Sequence, residues 1–195
     1  ARGILDYVES SDVVTFTGSA STGKMLKSHP RLVEESVPFN MEADSLNCSV
    51  LGEDAVPGTP EFDLFIKEVQ KEMTVKAGQK CTAIRRVLVP EKLVEDVQIA
   101  LGQRLAKTVI GDPSQEGVRM GPLAGKEQVA EVAAQVAKLA ESQEIVYGSL
   151  TDFNLIGADK NKGSFLSPIL FLNNDPFNKT DCHDIEAFGP VSTIL

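Results

Sequence analysis

Short β-branched runs that alternate with amphipathic stretches constrain this chain more than any other feature of it. Val13-Val14-Thr15-Phe16 reads as a buried strand ended by Thr17-Gly18-Ser19. A helix is predicted over about residues 21–28 and is expected to stop at Pro30. Val37-Pro38-Phe39-Asn40-Met41 follows as a second strand, so this first segment is a parallel crossover unit. The alternation then continues. Thr59-Pro60 supplies a cap and a first-turn proline, and Phe62, Phe65, Ile66, Val69 and Met73 fall on one helical face. Gly78 is expected to close that helix, which puts Cys81 just beyond its end. A strand over 83–89 ends at Pro90. Leu93, Val94, Val97, Leu101 and Leu105 mark the next helix, closed by Gly111-Asp112-Pro113. Val129, Val132, Val136 and Leu139 mark another, and residues 144–147, 165–172 and 191–195 are predicted strands, the last of them expected to be cut short. Strands alternating with helices mean an α/β fold.

Composition narrows the function. Hydrophobic residues make up 42% and charged residues 24%, which places the 195-residue chain among globular rather than disordered proteins. A formal charge of −9 disfavours nucleic acid and anionic membrane as partners. No apolar run approaches the ~20 residues that span a bilayer. Cys48, Cys81 and Cys182 are odd in number and widely spaced, and His29 and His183 are the only histidines. That pattern argues against a disulfide framework and against a metal cluster, and it suits a reducing cytoplasm. The opening Ala1-Arg2-Gly3 carries no initiator Met and no signal peptide, so the chain is expected to begin inside a larger protein.

Three features have chemical potential. Gly18-Ser19-Ala20-Ser21-Thr22-Gly23-Lys24 follows a strand and opens a helix, where unpaired N–H groups hold phosphate. It nearly matches the P-loop pattern, but Met25 stands where a hydroxyl is needed for Mg²⁺. A dinucleotide pyrophosphate needs no such ligand, and a plain Gly/Ser turn is the competing reading. Cys81 differs from the other cysteines in having Lys76 and Lys80 upstream and Arg85 and Arg86 downstream. Positive neighbours lower a thiol's pKa and favour the nucleophilic thiolate, whereas most cysteines are small buried hydrophobes. Cys48 reads as core, and Cys182 lies among acidic residues that disfavour a thiolate. Glu42, a lone carboxylate leaving an apolar segment, reads either as a solvated strand end or as a partly buried general base.

The order of these features carries a resemblance. Phe16-Thr17-Gly18-Ser19 with Gly23, then Glu42, then Gly78-Gln79-Lys80-Cys81, then Glu186-Ala187-Phe188-Gly189-Pro190 resembles the aldehyde dehydrogenase superfamily along essentially the whole chain. Gly111-Asp112-Pro113, Met120-Gly121-Pro122-Leu123, and Phe165 with Pro168 look like its spacer motifs. Within it, residues 39–47 and 76–86 are similar to the aldehyde dehydrogenase domain of bifunctional ring-opening enzymes of phenylacetate degradation, and to a related semialdehyde dehydrogenase of benzoyl-CoA degradation. The resemblance implies Cys81 as the nucleophile that forms a thioester and Glu42 as the base that activates water. It implies NAD or NADP as cofactor, with Gly18, Ser19 and Gly23 at the pyrophosphate, the Ala43 backbone near the nicotinamide amide, and Glu186 and Phe188 at the nicotinamide ribose. A small-molecule aldehyde, in this subgroup a CoA-linked semialdehyde, is the implied substrate, and the parent enzyme is implied to be a cytoplasmic homo-oligomer.

The implied fold is aldehyde dehydrogenase-like. Residues 1–43 are expected to be the C-terminal part of a Rossmann-type NAD(P)-binding domain, and residues 44–195 a thiol-bearing catalytic domain that is truncated at its C-terminus. The family's Leu-Gly-Gly after the base is here Ala43-Asp44-Ser45, so close backbone approach through glycine is expected to be lost. Half of the cofactor site is expected upstream, so the chain alone is expected to be catalytically silent. Three rival readings remain: a CoA-acylating aldehyde dehydrogenase, which Glu42 disfavours, a P-loop nucleotide-binding module, which Met25 disfavours, and a non-catalytic interaction domain in which Cys81 is packing.

Overall fold

A computed structural model describes residues 2–195. The chain separates into two compact units, 1–45 and 46–195.

In the first unit, a 3₁₀ turn (Arg2–Tyr7) leads to β1 (Val14–Gly18), α1 (Ala20–Lys27), α2 (Pro30–Glu34) and β2 (Phe39–Ala43). β1 and β2 pair in parallel, with Thr17 opposite Glu42 and Gly18 opposite Ala43. The crossover read from the sequence is therefore present. Pro30 does more than stop α1: it opens α2 at the first helical position, and His29 Nδ1 accepts from the Arg31 amide at 3.3 Å to cap it. Leu5, Leu32 and Val37 form a small core, with Val14, Leu26 and Phe39 packed on it.

The second unit is a five-stranded sheet in the order β3 (Asn47–Val50), β4 (Ile84–Leu88), β7 (Val191–Ile194), β6 (Ile169–Leu172), β5 (Glu144–Tyr147). All neighbours are parallel except β5, which pairs antiparallel with β6 at one edge. Alternation along the central strands shows that both faces are covered. On β6, Leu170 belongs to one hydrophobic cluster while Ile169 and Phe171 belong to another. On β7, Ile194 joins the first and Val191 the second. The first cluster is closed by α3 (Pro60–Thr74) and α4 (Val94–Leu105), the second by α5 (Lys126–Leu139). Strands buried on both faces read as continuous apolar runs, and β6 does; β7 buries Ser192 and Thr193 between Val191 and Ile194.

α3 shows why the local prediction worked. Thr59 Oγ1 accepts from the Phe62 amide at 3.3 Å, Pro60 sits in the first turn, and Glu61 and Asp63 face the positive end of the helix dipole. Phe62, Ile66, Val69 and Met73 are buried, each worth about 1.5–3 kcal/mol of transfer free energy. The helix ends at Thr74, before Gly78, and a 3₁₀ turn (Val75–Gly78) intervenes. Two further elements differ from the sequence reading: β3 was not expected, and β6 begins only after Pro168, which has no N–H to give a ladder. A last short helix, α6 (Asp181–Asp184), precedes β7. Among the described residues no helix is long and apolar enough to cross a membrane.

Candidate active site

In the first unit, the β1–α1 turn is tightly built. Ser19 caps α1, its Oγ accepting from the Thr22 amide at 3.3 Å and donating to Thr22 Oγ1 at 2.9 Å. Packing explains both glycines here. A Cβ on Gly23 would lie 2.2 Å from Met41 Sδ, and one on Gly18 would lie 2.6 Å from the Phe16 ring. Parallel pairing sets Gly18 and Ser19 beside Ala43, so five of the sequence-selected residues (Gly18, Ser19, Gly23, Glu42, Ala43) share one small unit. Glu42 is exposed within that unit, where the sequence reading had allowed partial burial.

Asp44 resolves the departure from Leu-Gly-Gly. Its φ is +48°, a left-handed conformation that Asp tolerates better than most residues. From there its Oδ1 accepts from the Ala20 amide at 3.1 Å, so the side chain caps the first turn of α1. Asp44 thus sits in the left-handed region that glycine favours and adds a hydrogen bond.

In the second unit, each residue from Gly78 to Cys81 is anchored to a different part of the fold. Arg85 Nη2 donates to the Gly78 carbonyl at 2.7 Å. Gln79 Oε1 accepts from the Ala124 amide at 2.8 Å. Lys80 Nζ lies 2.7 Å from both carboxylate oxygens of Glu72 on α3. Asn47 Nδ2, at the start of β3, donates to the Cys81 carbonyl at 2.6 Å. The turn that enters this loop is strained, because Lys76, Ala77 and Gly78 all have φ between +52° and +70°. Only Gly78 adopts that conformation without cost, and its Cβ position is filled: a methyl there would meet the Gly189 oxygen at 2.2 Å. Cys81 itself is exposed.

Three of the four cations that flank the thiol in sequence have partners elsewhere. Lys80 is held by Glu72. Arg86 donates to the Leu46 carbonyl at 2.5 Å and contacts His183 Nδ1 at 3.2 Å. Arg85 is buried, donating to the Gly78 and Gly189 carbonyls, with Glu186 Oε1 3.8 Å from its Nε. Burial pushes the Arg85 guanidinium down to about 10, against the opposing pull of Glu186, so it stays charged at neutral pH. Glu186 and Phe188 therefore both lie close to one buried cation, the Phe188 ring centroid 5.6 Å from the guanidinium carbon.

The other cysteines divide differently from expectation. Cys48 is exposed, because β3 is an edge strand, rather than core. Cys182 is buried in α6, and burial is the main cause that pushes its thiol up; Asp181 adds to it least. It does not pair with its sequence neighbour, for His183 Nε2 faces the Pro176 carbonyl at 3.1 Å.

Residues 7–195 match the model of the aldehyde dehydrogenase family. The chain belongs to that family. It is 47% identical over its whole length to a 3,4-dehydroadipyl-CoA semialdehyde dehydrogenase of Aromatoleum evansii, covering 38% of that protein. It is 31% identical to a putative aldehyde dehydrogenase of Staphylococcus haemolyticus, over 94% of the chain and 36% of the relative. Among solved structures, a betaine aldehyde dehydrogenase of Staphylococcus aureus in complex with NAD⁺ superposes with a TM-score of 0.81 at 25% identity, over 94% of this chain and 34% of that one. The chain thus spans little more than a third of its relatives. The α/β fold is that of the family, as the order of motifs implied. Arg85, Asn47, Glu72 and Ala124 were not singled out as anchors from sequence; the contacts of Asn47 and Ala124 reach the loop from 34 and 45 residues away.

Proposed function

We propose that this chain carries the nucleophile, the base and part of the cofactor site of an NAD(P)⁺-dependent aldehyde dehydrogenase that oxidises a CoA-linked semialdehyde to an acid. Residues 1–43 are the C-terminal part of the NAD(P)-binding domain, and 44–195 belong to the catalytic domain. Support for the substrate class comes from the 47% identical relative, whose name carries a CoA semialdehyde. Support for the thiol comes from the loop: anchoring at four successive residues presents one exposed sulfur in a reproducible position, which covalent catalysis requires.

The residues present fit a nicotinamide dinucleotide at its ribose end. Phe188 is an aromatic ring left 40% exposed, with the Glu186 carboxylate two residues before it, suited to pack beside a sugar and accept from its hydroxyls. Gly18, Ser19 and Gly23 would hold the pyrophosphate, which there competes with the Asp44 carboxylate for the first amide of α1. The Ala43 backbone would lie at the nicotinamide amide. When bound, the oxidised cofactor supplies the hydride acceptor.

Cys81, as thiolate, adds through Sγ to the aldehyde carbon, and the carbonyl electrons move to oxygen as an oxyanion that backbone N–H groups stabilise. Loss of hydride from that carbon re-forms the carbonyl and leaves a thioester on Cys81. Glu42 takes a proton from water as the water oxygen attacks the thioester. The C–S bond breaks, the acid departs and the thiolate is regenerated. A homo-oligomeric, cytoplasmic parent enzyme completes the reading.

The test uses the full-length reading frame that carries this chain, a CoA semialdehyde, and NAD⁺ or NADP⁺. Cys81→Ser is expected to abolish NAD(P)H formation, and Glu42→Gln to leave one turnover per site but to stop the steady state. Activity retained in Cys81→Ser would overturn the assignment. Product released as a CoA thioester only when free CoA is added would favour acylation instead of hydrolysis.

A further inference from the structure

Arg85 is a buried cation whose guanidinium reaches both segments that the proposed chemistry uses. It stands four residues after Cys81 on β4, with only 4% of its surface exposed. Its two terminal nitrogens fork between backbone carbonyls that are far apart in sequence: Nη2 to Gly78 at 2.7 Å and Nη1 to Gly189 at 2.5 Å. Gly78 opens the loop that ends in Cys81, and Gly189 closes the segment Glu186-Ala187-Phe188. The third nitrogen, Nε, is buried without a hydrogen bond and faces Glu186 Oε1 at 3.8 Å. The same cation lies 5.6 Å from the Phe188 ring.

The two segments meet closely enough to need this fork. A methyl on Gly78 would lie 2.2 Å from the Gly189 oxygen and 2.6 Å from its carbonyl carbon, and one on Gly189 would meet Val132 at 2.9 Å. The Gly189 carbonyl thus packs directly against the Gly78 backbone, and one side chain satisfies the carbonyl oxygens of both residues. A planar guanidinium does so with two parallel N–H vectors, whereas an ammonium is a point charge without the fork. The turn before the loop also has Lys76 and Ala77 in left-handed conformations that persist only when their surroundings over-determine them.

We propose that Arg85 is a positioning residue that holds the Cys81 loop and the Glu186–Phe188 segment in one register, so that occupancy of the cofactor's ribose site is felt at the thiol. This rests on the reading of Cys81 as nucleophile and of Glu186 and Phe188 as ribose contacts. Arg85 touches neither substrate nor cofactor. It acts through the backbone at Gly78 and Gly189 and through the charge beside Glu186.

The experiment measures iodoacetamide labelling of Cys81, by peptide mass spectrometry, with and without saturating NAD⁺ or NADP⁺ in the full-length protein. Wild type, Arg85→Lys and Arg85→Gln are compared, with a thermal melt of each. In wild type the cofactor is expected to change the Cys81 rate at least fivefold, with Cys48 as the unresponsive internal reference. In Arg85→Lys and Arg85→Gln that ratio is expected to collapse towards one, while the cofactor KM rises tenfold or more and a cooperative melt is kept. A ratio in both variants equal to that of wild type overturns the proposal. Loss of the cooperative melt in both variants also overturns it, because Arg85 is then a folding residue. A wild-type ratio of one is a different failure: it removes the underlying reading of the site, whatever Arg85 does.

Discussion

Asn47 Nδ2 donates to the Cys81 carbonyl oxygen at 2.6 Å and to that of Ala83 at 3.3 Å. One amide at the start of an edge strand thereby fixes the backbone on both sides of Thr82, directly after the thiol. Replacing Asn47 by Ala leaves two carbonyls without this donor, and the expected loss is about 1–3 kcal/mol of stability. Asn47→Asp puts an acceptor where a donor is needed and is expected to be worse. Chemical denaturation of both variants, alongside turnover in the full-length protein, checks the order: Asn47→Asp below Asn47→Ala below wild type in both measurements.

Asp44 gives a second prediction, confined to the first unit. Its left-handed backbone and its hydrogen bond to the Ala20 amide work together. Asp44→Ala loses the acceptor and, with it, the local side-chain hydrogen bond that lets Asp tolerate the left-handed region, for a combined cost of about 2 kcal/mol. Asp44→Asn keeps an acceptor and tolerates the conformation, with an expected change within about 0.5 kcal/mol. Hydrogen exchange at the α1 amides reports on that helix alone, and only Asp44→Ala is expected to accelerate it.

Cys182 yields a prediction in pH. Burial raises its thiol above the ordinary value of 9.0. A raised acid in the folded state contributes stability that is fully present below the unfolded value and is lost as pH rises through the folded one. Wild type is therefore expected to lose stability above about pH 9, and Cys182→Ala to lose less over the same interval. Denaturant midpoints at pH 7 and pH 10 for the two proteins make the comparison. Iodoacetamide is expected to reach Cys182 last of the three cysteines, and only in alkaline solution.

The division between what the sequence revealed and what it hid follows the range of each interaction. Thr59-Pro60 and the face from Phe62 to Met73 are local, so α3 was legible almost to the residue. The β1–α1–β2 crossover was legible because an apolar run, a glycine turn and a second run follow one another directly. β3 was not, because the edge strand has only four residues and turns its apolar members, Cys48 and Val50, outward. The site divides in the same way. Motif order pointed to Cys81 and Glu186, but the cation that joins their segments bonds across 104 residues to Gly189. Counting the charges near Cys81 along the chain also leaves out their partners: Lys80, next to the thiol in sequence, is held by Glu72 on α3.

The claim on which the rest depends is that Cys81 becomes acylated during turnover. Full-length Glu42→Gln protein is mixed with the semialdehyde and NAD⁺ or NADP⁺, quenched in acid within one turnover, and digested for mass spectrometry. The peptide containing Cys81 is expected to carry the acyl mass, while those containing Cys48 and Cys182 stay unmodified. An unmodified Cys81 peptide at a time when NAD(P)H has already formed would contradict the account.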